Sequence, residues 1–304
     1  MRELMNFLEE RRILLPLFII LIAANIFIWK AAVAEKNAGE FALYFLNIGQ
    51  GDSQLVNLPG DVQVLIDGGK GAQILNELGK ILAPTDRYID LVVATHPDLD
   101  HYGGLIDVLK NYEVGAILTN GRGGAAGAFK EFQNVIVERK VSEVHLLAGD
   151  AIRYGETKFA VLNPTPKDLA ERMPVNASGI VLLLEHAGLP SCDDSSALCV
   201  RGLRVLYTAD VDTKKEAELA QKYDLAADIL KVGHHGSKYS SGNTFLNEVQ
   251  PKLAFIEVGK NNYGHPTAEA LTRLANIGAQ VFTTQEQGTM KVFIENQKLK
   301  VSKL

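Results

Sequence analysis

Cysteine is almost missing from this chain. There are two in 304 residues, Cys192 and Cys199, too few for a disulfide-built scaffold or a cysteine-rich zinc module. An excess of positive charge is missing as well: 31 lysines and arginines face 36 acidic residues, for a formal net charge of −5. A protein that coats nucleic acid through charge alone is not expected from that balance. No repeat of fixed period and no proline- or serine-rich linker divides the sequence. With 47% hydrophobic and 22% charged residues, the composition excludes a disordered or low-complexity chain. The length suits one large domain or two small ones, either able to bury a full core.

One apolar run departs from this ordinary pattern. Residues 13–29 read ILLPLFIILIAANIFIW, and AAVA after Lys30 extends the run to Ala34. About 20 apolar residues rising 1.5 Å each cross a hydrocarbon core, and this run has no polar face, so residues 13–34 are expected to enter a membrane. Arg11 and Arg12 precede the run and Lys30 lies near its end. That cation excess is expected to keep the N-terminus cytoplasmic and to export the remainder of the chain. Ala32-Val33-Ala34 offers the alternative of a cleaved signal peptide, but the length of the run favours a retained single-pass anchor. The expected division is a cytoplasmic stub and anchor over 1–34 and an extracytoplasmic domain over 35–304. Cys192 and Cys199 flank a polar segment between strand-like runs and suit a small disulfide-closed loop outside the cytosol; two free thiols are the alternative.

After residue 35, short β-rich runs (41–47, 53–58, 62–67) give way to alternating strand-like and helix-like segments. Strands are expected at 91–95, 116–119, 179–186, 203–209, 228–232, 253–258, 280–284 and 289–294. Helices are expected at 105–112, 125–140, 213–223 and 267–277. Strand meanders mixed with single helices predict an α/β domain of two sheets packed face to face with helices outside.

Five of the seven histidines fall in three short segments at strand ends. THPDLDHYGGL (95–105) packs His96, Asp98, Asp100 and His101 into six residues beside a Gly-Gly turn. Four such groups repel one another and are costly to desolvate without cations, which makes metal binding the expectation here. LYTADVD ends a strand with Asp210, a carboxylate able to bridge two ions. LKVGHHGSKYSS places His234 and His235 directly after an apolar run, and NNYGHPTAEAL places His265 between a strand and a helix. Each is a strand followed by a polar loop, where α/β architectures put their sites.

In this order, NIGQGDS (47–53), LIDGG (65–69), THPDLDHYGG (95–104), NASGIVL (176–182), LYTAD (206–210), LKVGHHGS (230–237) and YGHP (263–266) resemble the metallo-β-lactamase superfamily, and within it the hydrolase domain of ComEC-type bacterial competence proteins. The resemblance implies a four-layer αββα sandwich (α/β, α+β) with a metal site at the sheet edge, here behind an N-terminal transmembrane helix. It implies two divalent ions, zinc or manganese. His96 and Asp98 would hold one ion, Asp100, His101 and His265 the other, and Asp210 would bridge them. Asp52 and Asp67 would orient these ligands, and His235 or His234 would give a proton to the leaving group. Asp98 stands where the wider superfamily has a second histidine; it hardens the site and favours tolerance of manganese. Asn47 stands where the ComEC-type branch has Asp.

The superfamily's third metal motif, a separate histidine, is not identified in the sequence, which leaves open whether it is replaced or absent. His186 lies at the wrong end of its expected hairpin, whereas Asn176 and Ser178 lie at the right end to line the site. The expected function is an exported, membrane-anchored phosphodiesterase or nuclease acting on DNA, with single-stranded DNA as candidate substrate and a separate channel protein as candidate partner. One alternative is hydrolysis of a cell-envelope phosphodiester, a lactone or a β-lactam. The other is a non-catalytic partner module of a DNA-uptake complex.

Overall fold

The structure is a computed structural model and describes residues 16, 18–25, 41–124, 127–171, 173–187, 202–296 and 298–304. It divides into two units, residues 1–40 with 59–61 and residues 41–58 with 62–304. In the first, residues 18–25 are helical with exposed side chains, and Asn25 Nδ2 donates to the Leu21 carbonyl at 3.0 Å. Most of the expected anchor and both cysteines lie outside the described residues. Among the described residues, no helix is long and apolar enough to cross a membrane.

The second unit is built on two sheets. β1 (Ala42–Phe45), β2 (Gln54–Leu58), β3 (Val62–Ile66), β4 (Tyr88–Ala94), β5 (Glu113–Thr119) and β6 (Ser142–His145) belong to the first, with β14 (Met290–Glu295) and β15 (Lys298–Lys303). Their spatial order is β15-β14-β1-β2-β3-β4-β5-β6. The second holds β7 (Ala151–Tyr154), β8 (Thr157–Asn163), β9 (Val181–His186), β10 (Leu203–Tyr207), β11 (Ile229–Lys231), β12 (Leu253–Ile256) and β13 (Gln280–Thr283), in the order β13-β12-β11-β10-β9-β8-β7.

One apolar cluster joins the sheets face to face: Phe45, Val56 and Val64 from the first meet Phe159, Leu182, Val205 and Phe255 from the second. The outer face of the first sheet is covered by α1 (Gln73–Ile81), α2 (Leu99–Asn111) and α3 (Gly127–Arg139), through Leu78, Leu105, Leu109 and Phe132. The outer face of the second carries α5 (Thr213–Lys222), α6 (Asn243–Val249) and α7 (Ala268–Asn276), through Leu219, Phe245 and Leu274. Two shorter helices, α4 (Pro166–Ala170) and α8 (Thr284–Gln287), lie in connections. The result is the four-layer αββα arrangement. The central strands are apolar on both faces because both faces are covered.

Parallel pairing runs through β3-β4-β5-β6 in one sheet and β10-β11-β12-β13 in the other. The C-terminal ends of these strands therefore deliver Asp67, His96, Asp210, His234, His235 and Glu257. α2 begins at Leu99, six residues before the expected start, because Asp98 already has the extended backbone of an N-cap (φ −97°, ψ 140°). Asp100 and His101 thus ride on the first helical turn rather than on a loop. The β9–β10 hairpin pairs His186 with Leu203 and Leu182 with Tyr207. His186 is buried, meets the Thr157 hydroxyl through Nδ1 at 2.8 Å and stacks on Phe41 at 4.2 Å, which is a packing role.

Two glycine contacts close the site end of the first sheet. A Cβ at Gly104 would sit 2.0 Å from the Gly68 carbonyl oxygen, and one at Gly51, whose φ is 142°, would sit 2.4 Å from the Asp100 carbonyl oxygen. Gly104→Ala is therefore expected to destabilise the fold by about 3 kcal/mol through overpacking. In denaturant titrations Gly79→Ala, which meets nothing within 4 Å in helix α1, should be neutral or stabilising by comparison.

Glu216 in α5 is fully buried and accepts the backbone N–H groups of Ser241 (2.6 Å) and Gly242 (2.8 Å). Burial outweighs those bonds and pushes its pKa up to about 7 from the ordinary 4.5. A raised folded-state pKa gives stability that is complete below the unfolded value and is lost as pH rises through the folded one. Stability attributable to Glu216 should fall by about 3 kcal/mol between pH 4.5 and 7. Glu216→Gln, though weakened by losing one acceptor, should lack that slope in unfolding titrations run across this window.

Candidate metal centre

The site forms where three backbone segments of the first sheet lock together and the strand ends of the second sheet close over them. The Asp52 N–H donates to the Asp100 carbonyl (3.1 Å), the Gly68 N–H to the His101 carbonyl (2.7 Å), and the Gly69 N–H to the Asp52 carbonyl (2.9 Å). These bonds set Asp52, Asp67, Asp100 and His101 side by side before any side chain is considered. In the second sheet, the His234 N–H donates to the Ala209 carbonyl at 3.2 Å and so joins the loops that follow β10 and β11. Asp67, Ala209, His234 and His235 all have left-handed backbones, with φ between 46° and 56°. Such conformations cost about 1–3 kcal/mol each in a residue with a side chain and gather at functional sites.

The side chains converge on a buried cluster. Asp67 accepts from the Thr95 N–H (2.8 Å) and the Thr95 hydroxyl (2.6 Å), and its Oδ2 lies 2.8 Å from His101 Nδ1. With Nδ1 engaged there, His101 turns Nε2 towards Asp210 Oδ2 at 3.4 Å. His235 behaves alike. Its Nδ1 lies 2.8 Å from the Glu257 carbonyl and 3.1 Å from Asp52 Oδ1, while Nε2 lies 3.3 Å from Asp100 Oδ2 and 3.8 Å from Asp210 Oδ2. His96 Nδ1 meets the Thr95 hydroxyl at 3.0 Å, leaving Nε2 at 3.5 Å from Asp98 Oδ2.

In each case the outer nitrogen is held by an orienting acceptor or hydroxyl and the inner one is directed into the cluster. His96 Nε2, His101 Nε2, His235 Nε2 and Asp210 Oδ1 are buried and make no hydrogen bond. Buried polar atoms are rarely left so, and inward-facing imidazoles with their second nitrogen tied to an acceptor are the arrangement of metal ligands. The donor set fits divalent cations. Ligand atoms lying within 4.8 Å of one another group as His96, His101 and Asp210, as Asp100, His101 and His235, as Asp52, Asp210 and His235, and as Asp52, Asp67 and His101.

The charges of the cluster act strongly on one another. Burial favours neutral His101, but Asp210 and Asp67 outweigh it and hold its pKa well above the ordinary value. Burial likewise opposes charge on His235, yet Asp210 and Asp52, with Asp100, push it up to about 10. Burial would raise Asp210, and His101, His235 and Lys231 hold it well below the usual carboxylate range.

Most of the residues expected from sequence meet here. His96, Asp100, His101 and Asp210 come together, with the half-exposed Asp98 beside His96. His235 joins Asp100 and His101, whereas His265 enters none of the groups above. His265 instead packs against His234, ring centres 5.6 Å apart, with its buried Nδ1 unpartnered. His234 is half-buried, its Nε2 3.8 Å from Asp210 Oδ2. Asp52 and Asp67 take the orienting contacts described. The turn containing Asn176 and Ser178 lies against His96, since a Cβ on the adjoining Gly179 would sit 3.7 Å from His96 Nδ1. The Ser178 hydroxyl itself is engaged by Arg122 Nη1 (2.9 Å) and the Val175 carbonyl (2.9 Å).

Two residues escaped the sequence reading. Lys231 is 1% exposed; its ammonium donates to Asp52 Oδ2 and to the Ala209 carbonyl (3.1 Å) and stands 3.9 Å from Asp210 Oδ1. Glu257, also buried, accepts from Gln54 Nε2 and from the Ser53 N–H, and burial together with the Asp52 charge raises its pKa well above the carboxylate range. The signal for Lys231 was present, as a lone charge in the otherwise apolar strand ILKV.

The model of the metallo-beta-lactamase superfamily matches residues 46–259. ComE operon protein 3 of Bacillus subtilis is 30% identical over 271 residues, covering 83% of this chain and 33% of that protein. Competence protein ComA of Neisseria gonorrhoeae is 27% identical over 292 residues, covering 95% of this chain and 37% of that protein. The chain therefore spans about a third of the length of these relatives. Among solved structures, the metallo-beta-lactamase fold protein YhfI from Bacillus subtilis superposes with a TM-score of 0.52 at 13% identity, covering 83% of this chain and 100% of that one. The family match, the αββα layers and the strand-end ligands agree: this chain belongs to the metallo-beta-lactamase superfamily and carries a hydrolase domain of the kind found in ComEC-type competence proteins.

Proposed function

We propose that the chain is a metal-dependent phosphodiesterase acting on DNA, anchored through residues 13–34 with its catalytic domain outside the cytoplasm, where a separate channel protein would be its partner. The observation that carries the reading is that His96, His101 and His235 each bury an Nε2 without a hydrogen bond, in residue groups whose ligand atoms lie within 4.8 Å of one another and include Asp210 or Asp100. The competence proteins among its relatives support DNA as the substrate.

Zinc or manganese would be held by Asp100, His101 and His235 on one side and by His96, with Asp98, on the other, Asp210 reaching both. Bound there, the ions would supply Lewis acidity towards the attacking water and the phosphoryl oxygens. The protein's part is preparation. Asp67 fixes His101 through Nδ1, and the Glu257 carbonyl fixes His235 through Nδ1, so both present Nε2. Lys231 ties Asp52 to the Ala209 carbonyl and so holds Asp210 at the junction of the two sheets. His235 is turned inward, which leaves His234, on the open side with His265 behind it, to give a proton from Nε2 to the leaving alkoxide.

Asp210→Asn is expected to lower turnover of bis-p-nitrophenyl phosphate and of single-stranded DNA by about a thousandfold or more, since loss of one electrostatic stabiliser alone costs about 10²–10³. Parallel assays with nitrocefin should show no turnover. Nitrocefin hydrolysis without phosphodiester cleavage would overturn the reading, and so would a phosphodiesterase rate indifferent to Asp210→Asn. Removing metal with a chelator should abolish the activity, and zinc and manganese should each restore it. Restoration by zinc with manganese inert would contradict the role given to Asp98.

A further inference from the structure

A groove of about 520 Å³ opens beside the metal centre and shares His234 with it. Lys238, Tyr239, Tyr263, His265 and Glu269 are among its walls. Tyr239 and Tyr263 are 63% and 76% exposed, the most exposed tyrosines among the described residues. Rings left this open contribute nothing to the core, yet the backbones that carry them are firmly held.

Arg273 donates to the carbonyls of Lys238 (3.0 Å), Ser240 (2.8 Å) and Ser241 (2.8 Å), and the Tyr239 carbonyl accepts from the Thr213 N–H at 2.8 Å. Asn261 clamps the other loop: its Oδ1 accepts from the N–H groups of Tyr263 (3.0 Å) and His265 (3.1 Å), and its Nδ2 donates to the Gly259 (2.9 Å) and His265 (2.8 Å) carbonyls. The rings form a path into the site. Tyr263 lies 5.9 Å from His265, His265 5.6 Å from His234, and His234 6.1 Å from His235, centre to centre. Lys238 Nζ stands 5.1 Å from the centre of the Tyr239 ring.

We propose that Tyr239 and Tyr263 form a base-stacking subsite that grips unpaired nucleobases next to the scissile phosphodiester, with Lys238 meeting a neighbouring phosphate. This rests on the phosphodiesterase reading above and deepens it. Aromatic faces presented on fixed loops beside a lone cation are what a single strand engages, because every unpaired base offers a π-face irrespective of sequence. A duplex keeps those faces stacked on one another and denies them to the tyrosines. Pinned backbones also reduce the ordering cost of binding. Glu269, the one carboxylate in the groove wall, repels phosphate from its own side and leaves it to Lys238 and the imidazoles.

The test uses the full chain carrying Asp210→Asn, so that strands bind without being cut. Fluorescence anisotropy then compares a ten-nucleotide thymidine oligomer, an abasic deoxyribose-phosphate strand of the same length, and a duplex. The thymidine strand should bind about tenfold or more tightly than either of the others, the scale of one stacked base. Tyr239→Ala and Tyr263→Ala should each erase most of that preference, while Tyr239→Phe and Tyr263→Phe, which keep the π-face, should retain it. Equal affinity for the thymidine and abasic strands, or a preference that survives both alanine substitutions, would overturn the proposal. The phosphodiesterase reading is judged separately, by bis-p-nitrophenyl phosphate turnover with the unsubstituted chain, which does not depend on bases.

Discussion

Everything about this domain turns on bringing carboxylates and imidazoles out of water into one place. Asp52, Asp67, Asp210, His96, His101 and His235 are buried together, with Lys231 and Glu257 beneath them. Each buried charge costs several kcal/mol unless it is paired. Partners are arranged accordingly: Lys231 against Asp52, His101 between Asp67 and Asp210, and His235 between Asp52 and Asp100. Burial and the neighbouring Asp52 charge push Glu257 towards its neutral form. The same carboxylates and imidazoles are the groups that ligate divalent cations, which requires neutral imidazoles and ionised carboxylates.

The architecture makes that concentration possible. Each sheet contributes a run of parallel strands whose C-terminal ends emerge at the same edge, so loops distant in sequence meet without long excursions. Glycines at 51 and 104 let backbones approach where any side chain would collide. Four left-handed residues then aim the ligands. The strain is tolerated because the flanking strands are locked by apolar packing on both faces.

Much of this was legible in the sequence, for local reasons. THPDLDHYGG announces itself because four potential ligands crowd one strand end, and the apolar runs before Asp67, His96, Asp210 and His234 mark buried strands by composition alone. Less legible was what depends on a single backbone angle or on partners far away. Nothing in GHHG says which imidazole turns inward; only the folded partners do, with His235 beside Asp100 and His265 beside His234. β6, whose four residues are all exposed, carries no hydrophobic period to read, whereas β15 alternates as KLKVSK but is too short and lysine-rich to stand out. Tyr239 and Tyr263 are far apart along the chain and become neighbours of one groove only after folding.

The central claim is that this cluster is a binding site for divalent ions rather than a buried salt-bridge network. Anomalous diffraction from crystals of the full chain grown with manganese, recorded at its absorption edge, addresses it directly. Two peaks are expected roughly 3.5–4 Å apart, one among Asp100, His101 and His235, the other beside His96, with Asp210 between them. A map with no peak near those nitrogens, or with peaks only at surface carboxylates, would contradict it.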